Sequence, residues 1–200
     1  MKIKVALNAK SIKDAKKQIL DIKKVIPQMN REFMTQCCKW IIEKAKWYVE
    51  NSDIGSMVKT DINTHWSYIV TDNSAKITND SDKAVFVEFG VGIVGQGNPH
   101  PNASSESYNY NIPSKSKDEN GMWYFWTNSN ELDLPFKAVE DIRGFLDYRG
   151  ASGKRIVVGT RGAEGLMYAY QAIVDARQDL RNPNGDLPRM WKEIKARYIG

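Results

Sequence analysis

Two histidines and two cysteines are all the imidazole and thiol chemistry in this 200-residue chain. The cysteines, Cys37 and Cys38, are adjacent inside an apolar, helix-patterned stretch. Neighbours on a helix point about 100° apart, which does not favour a disulfide between them. They read as reduced, small, buried hydrophobes, the usage of a reducing cytoplasm. His65 precedes Trp66 in a β-rich run, and His100 lies between Pro99 and Pro101. Neither has a second His or a Cys at metal-ligand spacing. A zinc site from His65, Cys37 and Cys38 would need the fold to gather all three, so the expectation is no metal. Gly90-Val91-Gly92-Ile93-Val94-Gly95 matches the glycine spacing of a dinucleotide-binding turn. That turn needs a strand before it and a helix opening on it within a βαβ unit. Gly97-Asn98-Pro99 and Pro101 follow instead, so a loop is expected and no cofactor. No G-x-S-x-G elbow or comparable nucleophile motif occurs. The chain is read as a non-enzyme with no catalytic residue.

The remaining chemistry is charge. Residues 1–50 carry 12 Lys and Arg against 5 Asp and Glu, residues 51–150 carry 8 against 14, and residues 151–200 carry 9 against 5. A net +5 does not by itself demand a nucleic acid. Lys10, Lys13, Lys16, Lys17, Lys23 and Lys24 cluster near the start, opposite an apolar stripe. Such a face is chiefly solvated, yet it could meet DNA phosphates or an acidic partner. Trp123-Tyr124-Phe125-Trp126 could stack bases, but alternation puts only half of it on one face. Core packing or a subunit contact uses the same residues.

Hydrophobic periodicity supplies the elements that must position these groups. Residues 2–8 alternate as a strand. Ser11 is read as the N-cap of a helix with Ile12, Ala15, Ile19, Ile22 and Ile26 on one face. Pro27 should kink or break it. The pattern resumes through Met29, Phe33, Cys37, Trp40, Ile41, Ala45 and Tyr48, ending near Asn51–Gly55. Residues 57–80 read as strands, with a turn at Asp72-Asn73-Ser74. A short helix over Lys83–Phe89 stops at Gly90. Residues 91–120 show no period and read as a long loop. Strands follow at Gly121–Thr127 and Lys154–Gly159, with a short helix at Ala138–Tyr148 between them. Residues 163–181 and Leu187–Tyr198 complete the chain as helices. No 18-residue apolar run spans a membrane, and the N-terminus lacks a secretory apolar core. The fold class is α+β: an N-terminal kinked helix pair and C-terminal helices packed on a small, mainly antiparallel sheet. Residues 1–200 are read as one domain with a long insertion at about 91–155.

The run Lys83-Ala84-Val85-Phe86-Val87-Glu88-Phe89-Gly90 carries a physical puzzle. Glu88 falls at the C-terminal end of a short helix, where the dipole disfavours a negative charge. A carboxylate there calls for a partner, either Lys or Arg or a backbone N–H. The run resembles the A-x-x-V-E-F-G signature of the gene-product-ten-like tail-component family of siphophages, the neck or tail-completion proteins. Ala84, Val87, Glu88, Phe89 and Gly90 carry the likeness. The order of elements is also similar: an N-terminal helical region, a hairpin, the motif, a Gly-containing loop and a C-terminal helix. Where that family usually has a Pro-Phe-aliphatic entry to its last helix, this chain has Gly165-Leu166-Met167-Tyr168-Ala169.

The resemblance implies a bacteriophage or prophage structural protein of the head–tail junction or upper tail. It implies a homo-oligomeric ring, docking to other connector or tail proteins, a place in the virion and, during assembly, in the host cytoplasm. Nucleic acid would be met at most non-specifically, and no membrane is involved. Lys13, Lys16, Lys17, His100, Tyr108 and Tyr110 are the expected assembly contacts, with residues 91–120 as the contact arm. The rival reading is a nucleic-acid-binding module that uses the Lys-rich first helix.

Overall fold

The computed structural model describes residues 8–103, 108, 123–128, 148–149, 154–160 and 162–199. The architecture is α+β, with one long N-terminal helix, two C-terminal helices and small antiparallel sheets. Helix α1 runs Ala9–Glu50, 42 residues with Pro27 inside it. The expected pair of helices is therefore a single helix. Pro27 removes one backbone N–H from the ladder, but the bonds of the turns on either side carry the helix through. The start also differs from expectation. Asn8, not Ser11, is the cap, because its side-chain oxygen accepts the Ser11 N–H at 2.9 Å.

Residues 56–64 are helix rather than strand: α2 spans Ser56–Thr64 and buries Val58 and Ile62, four apart on one face. That i, i+4 pair outweighs the β propensity of Ile62 and Thr64. Strands β1 (Trp66–Val70) and β2 (Ala75–Asn79) then form a two-stranded hairpin closed by the Thr71 N–H on the Ser74 carbonyl at 2.8 Å. Helix α3 is Ala84–Phe89. The expected loop beyond it holds β3 (Gly90–Val91) and a six-residue helix, α4 (Gly92–Gly97). Strand β3 pairs antiparallel with β7 (Gly162–Glu164), not within a βαβ unit. Strands β4 (Trp123–Asn128), β6 (Lys154–Thr160) and β5 (Tyr148–Arg149) make a second antiparallel sheet in the order β4-β6-β5. The expected strand at residues 2–8 lies outside the described residues except for Asn8, which caps α1, and the expected helix Ala138–Tyr148 lies outside them except for Tyr148, which is in strand β5. Helices α5 (Tyr168–Arg181) and α6 (Asp186–Ile199) end the chain.

The chain divides into two compact units. One comprises Met1–Lys44, Ser67–Thr78 and Ala172–Gly200; the other comprises Ala45–Trp66 and Asn79–Gln171. In the first unit, Met29, Cys38, Ile42, Ala172, Ala176, Leu187 and Ile194 are buried. Phe33 meets Trp191 there with ring centroids 5.2 Å apart. Arg197 donates to Glu32, and Arg31 to Asp72 in the hairpin turn. In the second unit, Ala45, Val49, Val58, Ile62, Ala84, Val87 and Tyr168 are buried. Among the described residues, no helix is long and apolar enough to cross a membrane.

Candidate functional site

The motif residues form a joint between α3 and the start of α5. Gly90 ends α3 with φ 78°, a conformation that side chains resist and glycine does not. Its ψ of 178° takes the chain straight into β3, rather than through a left-handed cap. The last carbonyls of α3 have no partners within their own helix. Those of Val87 and Glu88 accept the Leu166 N–H at 2.7 Å and the Met167 N–H at 3.1 Å. Gly165 makes this approach possible, since a Cβ there would sit 2.5 Å from the Glu88 carbonyl oxygen.

The Glu88 side chain completes the joint. Helix α5 begins after Met167, a residue with no capping oxygen, held at φ 54°. The Glu88 carboxylate takes over the cap: Oε2 accepts the Ala169 N–H at 2.8 Å and Oε1 the Tyr170 N–H at 2.9 Å. The partner demanded by the misplaced charge is therefore a backbone N–H pair at a helix N-terminus, where the dipole favours an anion. Glu88 is only 8% exposed. Tyr168, 2% exposed, reaches back with its hydroxyl to the Ala84 carbonyl at 3.4 Å. Burial, and then the nearby Glu88 carboxylate, push its phenol far above the usual range, so it stays a donor.

His100 closes the carboxylate from the other side. Its Nε2 lies 3.0 Å from Glu88 Oε1, and its Nδ1 accepts the Asn102 N–H at 3.0 Å. An Nδ1 that accepts must be unprotonated, so Nε2 carries the hydrogen and the imidazole is neutral. The contact is a charge-assisted hydrogen bond rather than an ion pair. Phe89 lies against the His100 ring at 4.3 Å between centroids, and Tyr170 meets it edge-on at 5.2 Å. Tyr108 stacks on Phe89 at 4.7 Å and donates its hydroxyl to the Gly90 carbonyl. With three donors on one carboxylate and both imidazole nitrogens engaged, the cluster is arranged to hold two segments together.

The expected assembly contacts scatter. His100 is 3% exposed, so it is a residue of the interior joint and not a surface contact, a correction. Tyr108 is half-buried in the same joint. Tyr110 lies outside the described residues. Lys13, Lys16 and Lys17 are exposed on α1. Gly165, Met167 and the Ala169 and Tyr170 amides were missed by sequence reasoning. One signal was available: a helix opening on Gly165-Leu166-Met167 has no Ser, Thr, Asp or Asn to cap it, so its cap had to come from elsewhere.

A second polar cluster fastens α2 to the entry of α3. Ser81 donates its hydroxyl to Asp61 and accepts the Lys83 N–H at 3.1 Å. Lys83 Nζ and His65 Nδ1 each lie 3.7 Å from an Asp61 oxygen. The Ser81 hydroxyl first, then Lys83 and His65, hold the Asp61 carboxyl below its ordinary range. The backbone carbonyl of Asp61, 2.6 Å away, then the charges of Asp61, Asp80 and Asp82, raise His65. Burial, and then Cys38, push the Cys37 thiol up to about 11. Among the described residues, no three His, Cys, Asp or Glu side chains converge as a metal site would require.

No protein-family model, no curated protein and no solved structure matches the chain.

Proposed function

We propose that the protein is a structural assembly component of the bacteriophage head–tail junction or upper tail, acting as a homo-oligomer that docks other virion proteins. The observation that carries this is the use of the motif. Ala84, Val87, Glu88, Phe89 and Gly90 are spent on an internal joint, while the first half of α1 exposes Ile12, Ile19, Leu20 and Ile26 at 42% or more. A chain that uses its most distinctive carboxylate for packing and leaves aliphatic side chains outside is built for contact with other subunits. The phage assignment rests on the resemblance of residues 83–90 and on the order of elements. The test is twofold: light scattering of the purified chain, and mass spectrometry of purified particles separated into heads, necks and tails. A ring-sized species and recovery in the neck or upper-tail fraction are expected. A monomer at high concentration that is missing from every particle fraction overturns the proposal.

The second reading, a nucleic-acid module, has one observation in its favour: Lys13, Lys16 and Lys17 are exposed along α1. Phosphate neutralisation by these lysines would give duplex binding that weakens steeply with salt.

A further inference from the structure

The first half of α1 holds a pattern that a globular core does not need. Ile12, Ile19, Ile26 and Phe33 are spaced seven apart, and Ala15, Ile22 and Met29 fall between them in steps of three and four. A repeat of three and four over three heptads is the a/d seam of a coiled coil, narrower than the arc of a helix that lies on a core. The two ends of this seam have different fates. At Met29 and Phe33 it is covered: Met29 is 2% exposed and Phe33 packs on Trp191 of α6. The last turn of α6 brings Arg197 to Glu32, and Tyr198 to Glu32 and Gln28. Residues 9–26 run on from there, about 27 Å of helix at 1.5 Å per residue. On that stretch the a residues Ile12, Ile19 and Ile26 are 53%, 55% and 42% exposed, while the d residues between them are less so, Ala15 buried and Ile22 half-buried.

We infer that this stretch of α1 packs in parallel against the same stretch of neighbouring copies of the chain. The flanking residues choose the partner and the direction. With Ile12 at position a, the e positions are Lys16 and Lys23, and the g positions are Ser11, Gln18 and Val25. Parallel copies set each g residue against the next e residue: Ser11 against Lys16, Gln18 against Lys23, Val25 against Asn30. No like charges meet. Antiparallel copies would set Lys16 against Lys23 twice over, a repulsion that such edges use to exclude a wrong alignment. Pro27 falls at a b position and is exposed, off the seam, so its missing N–H and ring do not enter the contact. Leu20, also exposed, lies off the seam and plays no part in it.

The inference deepens the proposed function and rests on its oligomeric half alone. The experiment uses the full-length chain. Sedimentation equilibrium is run on the wild type, on I19K and I26K, and on D14A at an exposed, outward c position, with far-UV circular dichroism to confirm helix content. Wild type and D14A are expected to share one oligomeric mass, and I19K and I26K to fall to the mass of one chain with unchanged spectra. Direction is read by mild oxidation of I12C and I26C, each alone in tagged and untagged forms and then the two variants mixed; the native thiols, held high or buried, react slowly. Links of 12 to 12 and 26 to 26 are expected. An oligomer that survives both lysine variants overturns the seam and leaves the oligomeric reading standing. A wild type that is monomeric throughout overturns both, including when it sediments only with anionic vesicles or an added acidic peptide. Links of 12 to 26 in mixed samples overturn the parallel arrangement.

Discussion

Removing the carboxylate of Glu88 would strand two backbone N–H groups of α5 and the Nε2–H of His100. Each is buried or half-buried, and a buried donor left without its partner typically costs about 1–3 kcal/mol. Glu88→Ala is therefore expected to lose about 3 kcal/mol or more in urea unfolding. Glu88→Gln should lose less, because it keeps one acceptor while turning an NH₂ toward backbone donors. Equal stability of both variants and the wild type would show that the joint is not built on this side chain. Asp61 and His65 make a titratable counterpart. Asp61 is held below its ordinary 3.8, so its contribution is present above that value and disappears as pH falls through the lower folded value. His65 is raised above its ordinary 6.5, so its contribution is complete below 6.5 and disappears as pH rises through the folded value. The cluster thus supports the fold best between about 4 and 6.5. Solvent reaches both groups, so the effect on stability is small and best read site by site. The imidazole proton of His65 should titrate above 6.5 in an NMR pH series, and its midpoint should drop in Asp61→Asn. An unchanged midpoint would remove the carboxylate from the account. Cys37, pushed up to about 11, should react with a maleimide at pH 8 far more slowly than a small free thiol does, since the thiolate is the nucleophile.

At the scale of elements, the two C-terminal helices are started by one device used twice. Glu88 on α3 caps α5. Asp179 on α5 caps α6, its carboxylate accepting the Asp186 N–H at 3.1 Å and the Leu187 N–H at 2.8 Å. A glycine accompanies each cap. A Cβ on Gly165 would stand 2.5 Å from the Glu88 carbonyl oxygen, and one on Gly185 would stand 2.5 Å from that of Asp179. Both contacts are with backbone, which cannot swing aside. Gly165→Ala and Gly185→Ala are each expected to destabilise by about 1–3 kcal/mol, the ordinary cost of forcing extra volume into a packed site. Thermal melts check this, and a melting temperature unmoved in either variant would mean the turn relaxes freely. The same pair of caps shows where sequence reasoning reached and where it stopped. Helices with their own signals were legible: α6 opens after Asn182-Pro183-Asn184-Gly185, and α3 stops at Gly90. The need of Glu88 for a partner was legible too, because a charge at the wrong helix end is a local fact. Its partners were not, because Ala169 and Tyr170 lie some eighty residues away and act through backbone that carries no side-chain mark. Helix α2 was misread as strand, since Ile62 and Thr64 have high β propensity. Burial of Val58 with Ile62 is a tertiary effect that propensity does not contain. On α5 the buried line is Tyr168, Ala172 and Ala176, and Ile173 and Leu180 face outward. Small residues sit where the helix packs, which a search for large apolar side chains passes over.

For the molecule as a whole, the uneven charge is the property that separates the two functional readings. The excess of lysine lies in residues 1–50 and the excess of carboxylate in 51–150. A nucleic-acid surface needs the first and gains nothing from the second, which repels phosphate. Assembly between copies can use both, because opposite potentials on different patches steer encounter and fix register. The lysines of α1 also occupy different places in the two readings. In a parallel seam, Lys13 and Lys17 point outward from the contact and Lys16 flanks it, so their charge is spare. On DNA they would be the contact itself. Changing Lys13, Lys16 and Lys17 to Glu moves the charge by six units and leaves the seam isoleucines in place. The expected outcome is an oligomer that persists at moderate salt, with any duplex retention of the wild type already weak and abolished in the variant. A wild type that binds duplex tightly, with an affinity falling by several powers of ten between 50 and 200 mM salt as about six or more phosphate contacts would require, and a triple variant that loses this binding while its oligomeric mass is unchanged, would move the function of α1 from assembly to nucleic acid.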